Sequence, residues 1–210
     1  MPATLKRYLG LSLLAFLVIT GLAGTVHNTA ISKPERKTAL GLLKESRNEV
    51  INSVKDLSLR QLNFKSIKDQ NSVKQIIFQI AATEKNLWQT FKSAMDGQDT
   101  PDRRKEIKLS DTQLIHLIEN EEADFKMGTT QKEDFNSYKS IQEALQSFKS
   151  LRAAHIKYMK SSTEDLRNHV VEMPFGYIDC YQLCLLMGAY SNYLVEKIER
   201  LKTDPRFPKS

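Results

Sequence analysis

Apolar residues recur at helical spacing along four long stretches of this sequence, and this periodicity constrains the fold more than any other feature. The stretches span about residues 32–57, 72–96, 138–160 and 178–202. Ser32 followed by Pro34 is typical of a helix start, because serine caps the first turn and proline is tolerated inside it. No segment shows the convincing two-residue alternation of a strand. The sequence therefore predicts an all-α, four-helix bundle in one domain.

The connections between these helices differ in length. The connection between the second and third helices is long (96–136) and polar, except near 110–121, where Ser110 predicts the start of a short helix. The bundle is therefore expected to have one long crossover. Between the third and fourth helices we expect a short turn of helix at 162–170 and then a loop, "EMPFGYID", at 172–179.

The N-terminal residues, 1–26, have the pattern of a targeting or anchoring segment. Lys6 and Arg7 precede an apolar run at 8–26 that contains no charge. This order is typical of a secretory signal peptide, and small residues follow at suitable places for cleavage. The run also approaches the roughly 20 residues that span a bilayer, so an uncleaved anchor stays open. Either alternative predicts that the bundle, at 32–204, is extracytoplasmic (secreted, periplasmic or membrane-anchored), because the basic flank stays inside.

Charge and cysteine content argue against a nucleic-acid-binding protein and against a disulfide-linked one. The net charge of +6 is spread along the chain, without the clustered basic stripe of a nucleic-acid-binding protein, so no nucleic-acid partner is expected. Cys180 and Cys184 lie four residues apart on the last predicted helix. Helix neighbours at this spacing have Cβ atoms about 5–6 Å apart, whereas a disulfide needs about 3.8 Å. We interpret both cysteines as small apolar packing residues.

Three blocks of the sequence resemble the DinB-like (DinB/YfiT) superfamily. The first is "LSLRQLNFKSIKDQNSVKQIIFQIAATEKNLW" at 57–88, and the others lie at 154–170 and 176–202. The first block has a Leu-Ser turn, a Gln-Leu pair with an aromatic residue, and a serine helix cap. The resemblance implies a four-helix bundle, commonly dimeric, with a divalent metal, often nickel or zinc, held by three histidines in a cleft. Characterised members of the family include metal-dependent thiol transferases and hydrolases.

The resemblance places the three ligand positions on Gln79, Tyr190 and Leu194, so none of them keeps an imidazole. A catalytic zinc-type site needs about three good donors. Leucine offers none, glutamine offers a neutral carbonyl oxygen, and a phenol with a pKa near 10 ionises reluctantly. We therefore predict that the metal site is lost and that Gln79 hydrogen-bonds Tyr190 in its place. The residues expected to line the cleft are Gln79, Thr83, Glu84, His155, Tyr190 and Leu194.

The remaining residues show no catalytic motif, and none of the histidines has another histidine three or four residues away. These histidines are His27, His116, His155 and His169. Our leading hypothesis is an exported, metal-free and non-catalytic bundle that binds a small ligand or a protein partner, or pairs with itself, with no catalytic residue and no cofactor. One alternative is a metal-dependent hydrolase or thiol transferase with other ligands, such as His155, Glu84 and Tyr190. A second alternative is an interaction domain tethered to the membrane by its uncleaved leader.

Overall fold

Four long α-helices form the body of this computed structural model, which describes residues 31–67, 71–120 and 138–209. The long helices are α1 (Lys33–Val54), α3 (Val73–Met95), α5 (Ile141–Ser161) and α6 (Cys180–Lys202). Two shorter helices, α2 (Leu59–Leu62) and α4 (Asp111–Glu119), and a 3₁₀ turn (Pro101–Glu106) lie in the connections. The four predicted long helices and the short helix predicted near 110–121 are all present.

Side chains that cap the first turns explain why the helices begin close to where the sequence predicts. The side chains of Ser32, Ser72 and Ser110 each accept a hydrogen bond from the backbone N–H three residues later. The residue at that later position is a glutamate or glutamine, and its side chain accepts a hydrogen bond from the backbone N–H of the serine. Asp179 and Gln182 form the same arrangement at the start of α6. Each capping box satisfies N–H groups that a helix otherwise leaves unpaired.

The long helices surround a common core, in which each packs mainly against two others. α1 and α3 both contact α5 and α6, which places α1 diagonal to α3 and α5 diagonal to α6. α4, from the long crossover, covers a further side of α6. Every residue of α6 from Cys180 to Ser191 is consequently buried. The first half of α6 is therefore the centre of the domain.

A two-stranded antiparallel hairpin precedes α6, so the prediction of an all-α chain with a helical turn at 162–170 is wrong there. β1 (Val170–Met173) is paired with β2 (Gly176–Asp179). The paired residues are Val170–Asp179, Val171–Ile178, Glu172–Tyr177 and Met173–Gly176. Gly176 has a φ of +123°, which L side chains rarely adopt, and this conformation permits the tight reversal. Neither segment, VVEM or GYID, alternates strictly between apolar and polar residues, so the pattern that identifies a strand is missing.

The helix bounds differ from the predicted ones by up to three residues. α1 ends at Val54 rather than near 57, and α5 begins at Ile141 rather than near 138. The predicted leader at 1–26 and His27 lie outside the described residues. In the part of the chain that is described, no helix is both long and apolar enough to cross a bilayer.

Candidate functional site

Gln79 and Tyr190 meet between α3 and α6. Gln79 is half-buried and Tyr190 is 5% exposed, and the Gln79 amide Nε2 donates to the Tyr190 hydroxyl oxygen at 2.8 Å. The predicted hydrogen bond between these side chains is therefore present. A neutral bond of this kind contributes about 0.5–1.5 kcal/mol net. The Tyr190 ring also lies against that of Tyr193, with centroids 5.8 Å apart.

Thr83 and Leu194 follow this pair by one helical turn, Thr83 on α3 and Leu194 on α6. Both side chains are buried, and Leu194 is part of the hydrophobic core. Residues four apart share one side of a helix. Thr83 therefore lies on the same side of α3 as Gln79, and Leu194 lies on the same side of α6 as Tyr190. Leucine has no atom that can coordinate a metal. The Leu194 position therefore supplies packing only.

A buried ion pair joins α3 to α5 further along α3. The two carboxylate oxygens of Glu84 accept hydrogen bonds from Nε and Nη2 of Arg152, both at 2.7 Å. The side chain of Arg152 is 0% exposed and that of Glu84 is 2% exposed. Bidentate bonds between arginine and a carboxylate are among the strongest that proteins form. Glu84 was expected in the cleft, whereas Arg152 was not predicted.

Arg152 also bonds to the other two long helices. Its Nη1 donates to the Leu43 carbonyl at 3.2 Å and to the Ser46 hydroxyl at 2.5 Å, both on α1. Its Nη2 donates to the Met187 carbonyl at 3.1 Å and to the Ser191 hydroxyl at 2.9 Å, both on α6. Together with the carboxylate of α3, these partners occupy all the N–H groups of the guanidinium, as burial of a charge requires. One side chain thus links all four long helices.

The carboxyl of Glu84 is ionised at ordinary pH. Burial by itself raises the pKa of a carboxyl, but the charge and hydrogen bonds of Arg152, and then the proximity of His155, lower the pKa of Glu84 to about 2. So weak a base accepts a proton poorly, and a carboxylate that stays ionised has none to donate. The ion pair is therefore suited to holding the helices together rather than to acid–base catalysis.

His155 lies beside this ion pair and is 0% exposed. Its Nδ1 is 2.7 Å from Oε1 of Glu84, without the alignment of a directed hydrogen bond, and its ring centroid is 4.1 Å from that of Trp88. Among the described residues, Nε2 of His155 has no hydrogen-bond partner. Of the residues expected in the cleft, the structure thus joins Gln79 to Tyr190 by a hydrogen bond and places His155 beside Glu84.

The other candidate ligands are dispersed. His116 is exposed on α4, and Nδ1 of His169 lies 2.9 Å from the carbonyl of Ala94. Cys180 and Cys184 are free and buried, and burial raises the pKa of Cys180 to about 12 and that of Cys184 well above its usual value. Neither is a reactive thiolate. Within residues 31–67, 71–120 and 138–209, no three His, Cys, Asp or Glu side chains form a group that could hold a metal ion.

Comparison with known proteins agrees with the architecture. The family model of the DinB superfamily matches residues 42–190, which is more than half of the chain. The chain belongs to the DinB superfamily. YfiT from Bacillus subtilis, described as "a probable metal-dependent hydrolase with an unusual four-helix bundle topology", is a similar solved structure, with a TM-score of 0.58 and 16% identity over 82% of this chain and 89% of that chain. At this identity the likeness shows the fold alone. No curated protein matches the chain.

Arg152 was missed by the sequence reasoning, although this DinB-superfamily chain does carry a signal for it. The buried residues of α5 include Phe148, Arg152, His155 and Met159, which lie three or four residues apart. Arg152 therefore interrupts the apolar stripe that faces the core. Arginine is almost never fully buried unless it is paired, so its place on that stripe predicts a buried partner on another helix.

A second charged cluster lies where α1, α4 and α6 of the DinB bundle begin. The Arg167 guanidinium is 2.6 Å from Glu35, 2.7 Å from Asp111 and 2.9 Å from Asp179, each of which caps or begins one of these helices. It also lies over the ring of Tyr181, 4.1 Å from the centroid. Arg167 precedes the hairpin in an irregular segment, where no periodicity could have placed it. The sequence reasoning missed this cluster.

Proposed function

We propose that this DinB-superfamily bundle has lost the metal site of its family and acts as an exported, non-catalytic protein that binds a small ligand or a protein partner. The observation that carries the proposal is the hydrogen bond from Gln79 to Tyr190. Both side chains stand at positions that the resemblance assigns to metal ligands, and a hydrogen bond joins them to each other. A hydroxyl that accepts from an amide is a poor ligand unless it ionises.

The residues at these positions do not fit the nickel or zinc that the family implies. Such metals favour imidazole, and a catalytic site needs about three good donors. Gln79 supplies at most an amide oxygen, Tyr190 a neutral phenol, and Leu194 nothing.

The buried centre around Arg152 supports a structural role for the remaining polar residues. Both carboxylate oxygens of Glu84 bond to Arg152, and the partners of Arg152 occupy its N–H groups on four helices. A substrate would have to displace bonds that hold the bundle together. YfiT is described as a probable metal-dependent hydrolase, but an equivalent site built from His155, Glu84 and Tyr190 has less support here, because both oxygens of Glu84 already bond to a buried arginine.

The decisive measurement is the metal content of the purified chain and of one variant. We expect no stoichiometric nickel or zinc on the unaltered protein after incubation with either metal and dialysis. The triple variant Gln79→His, Tyr190→His and Leu194→His is expected to bind one divalent ion, because it restores three imidazoles where the family has them. The double variant Tyr190→His with Leu194→His is the matched control and should bind more weakly.

Two outcomes would contradict the proposal. Stoichiometric nickel or zinc on the unaltered chain would show that a metal site persists. A folded triple variant that gains no metal would show that the three positions do not converge; circular dichroism establishes whether that variant is folded. Export rests on the apolar run at 8–26, and mass spectrometry of the chain recovered from its cells distinguishes a cleaved leader from a retained anchor.

A further inference from the structure

The connection between α1 and α3, residues 57–67, is held against the body of its own molecule. A capping box starts α2 within it. Gln61 donates from Nε2 to the carbonyl of Pro208 at 3.0 Å, and the ring of Phe64 meets that of Phe207 edge to face, with centroids 5.2 Å apart. These contacts fix the backbone of the connection and thereby decide which of its side chains face solvent.

The exposed side chains of this connection are apolar, basic or neutral, and none is acidic. Leu59 is 75% exposed and Ile67 is 86% exposed, and they are the two exposed large hydrophobic side chains in the described part of the chain. Arg60 and Lys65 are exposed between them in sequence, and the remaining exposed side chains are a serine and an asparagine. Single apolar side chains on a surface are ordinary, but here both belong to one short connection.

The positive charge of the connection is available to an anionic partner. Within the described residues, neither the Arg60 nor the Lys65 side chain forms an ion pair or a hydrogen bond. The carboxylate of Asp204, which accepts from the Ser66 hydroxyl of the connection at 3.0 Å, is already paired with Arg206 at 2.6 Å. Asp204 therefore does not cancel the charge of the connection.

We propose that this connection docks on the surface of an anionic lipid bilayer. Leu59 and Ile67 enter the interface, and Arg60 and Lys65 bond to lipid phosphates. Exposed aliphatic side chains next to basic ones are typical of segments that bind membrane surfaces, because the phosphates attract the charges while the apolar groups leave water. A protein partner fits this composition less well, because protein interfaces are depleted in lysine and enriched in aromatic residues.

This surface differs from the N-terminal apolar run at 8–26 and from the Gln79–Tyr190 pair. The run precedes α1 and the connection follows it, and α1, with 22 residues, is about 33 Å long. Docking through the connection therefore requires no retained leader, and it does not depend on the proposed loss of metal. A measurement made at the connection itself distinguishes this docking from attachment through the leader.

A fluorophore on the connection tests the proposal in the full chain. Asn63→Cys carries an environment-sensitive fluorophore, and the control Ser93→Cys carries it near the far end of α3. Both native residues are exposed, and the native cysteines are buried, so labelling is selective. With vesicles of phosphatidylglycerol and phosphatidylcholine we expect the emission at position 63 to rise several-fold and that at position 93 to stay unchanged. Phosphatidylcholine alone should give little response, because its surface has no net charge.

Two sets of substitutions in the labelled chain separate the apolar and the basic contributions. Leu59→Ser with Ile67→Ser should weaken the response about tenfold at subsaturating lipid, because two aliphatic side chains no longer leave water. Arg60→Gln with Lys65→Gln should weaken it about fivefold for each charge and make it less sensitive to salt. All four side chains are exposed, so the fold should persist, and circular dichroism checks this. The leader is common to every variant, so differences between variants report the connection alone.

Four results would contradict the proposal. They are an unchanged emission at position 63 at every lipid concentration, an equal rise at position 93, an equal rise with phosphatidylcholine alone, and a response that neither pair of substitutions alters. A rise at position 63 without vesicles, on addition of the soluble fraction of its cells, would indicate a protein partner and would also overturn docking on a bilayer.

Discussion

Arg152 is the residue on which the polar bonding of the core most depends. A guanidinium without solvent exposure costs several kcal/mol in desolvation unless its donors are satisfied. Here the acceptors come from α1, α3 and α6, while the arginine itself belongs to α5. The Phe148 ring lies 4.9 Å from the guanidinium and adds a cation–π contact. The guanidinium is therefore fully hydrogen-bonded only when the four helices are packed in this arrangement, and these hydrogen bonds in turn hold the helices in place.

Replacing Arg152 by methionine is expected to lower the free energy of unfolding by about 3–5 kcal/mol, because Glu84 would remain as an unpaired buried carboxylate. The double variant Arg152→Met with Glu84→Met should lose less than the single variant, since no charge then stays buried. Urea unfolding followed by the fluorescence of Trp88, the single tryptophan, measures both. An equal or greater loss in the double variant would contradict this account.

The loss of folding stability at acid pH is expected to depend on the protonation of Glu84. Its pKa is about 2 in the folded chain and 4.5 ordinarily, so between these values the unfolded state binds more protons. The stability that ionised Glu84 contributes is fully present above about pH 4.5 and is lost as the pH falls toward 2. Glu84→Gln should be less stable at neutral pH and should show a shallower fall over that range. An equally steep fall in this variant would assign the acid limb to other carboxyls, such as Glu35, whose pKa is also lowered to about 2.

Among the helices, α1 and α6 pack most closely against each other, and a glycine permits this close packing. A Cβ atom added at Gly188 on α6 would lie 2.5 Å from Cγ of Leu42 on α1, which is closer than real side chains approach. Glycine in a helix interior normally costs stability, so its presence here has a packing reason. Gly41, on α1, has no such neighbour within 4 Å of its Cβ position. The two glycines therefore form a matched pair.

Alanine at these two positions is expected to act with opposite sign. Gly188→Ala should lower the free energy of unfolding by about 1–3 kcal/mol, because the core has no room for another methyl group. Gly41→Ala should raise it by about 0.5–1 kcal/mol, because alanine is the better helix former. Urea titration of the two variants beside the unaltered chain decides this. A stabilising Gly188→Ala would show that Leu42 moves aside without cost.

In the whole molecule, two arginines hold together elements that are distant in sequence. Arg152 joins the four long helices at their centre, and Arg167 joins the first turns of α1, α4 and α6 at one end. The carboxylates around Arg167 lie near helix N-termini, where negative charge is favourable. Each arginine thus bonds together elements that only the folded chain brings side by side.

The sequence by itself determined the four long helices and, to within three residues, their starts. Periodicity and capping depend on residues within a few positions of each other, so a single helix contains all the information that they need. The contact between Gln79 and Tyr190 became predictable because the family resemblance supplied the bundle in which α3 and α6 meet.

Only the tertiary structure decided the hairpin before α6 and the partners of Arg152 and Arg167. Neither strand of the hairpin alternates strictly between apolar and polar residues, and the pairing of the two strands depends on where the chain turns back. The acceptors of Arg152 are separated from it by 35 to 109 residues in the sequence. A local sequence pattern contains no information about contacts over such separations. Burial of a charge is decided by what surrounds it, and the surroundings exist only when all the helices have assembled.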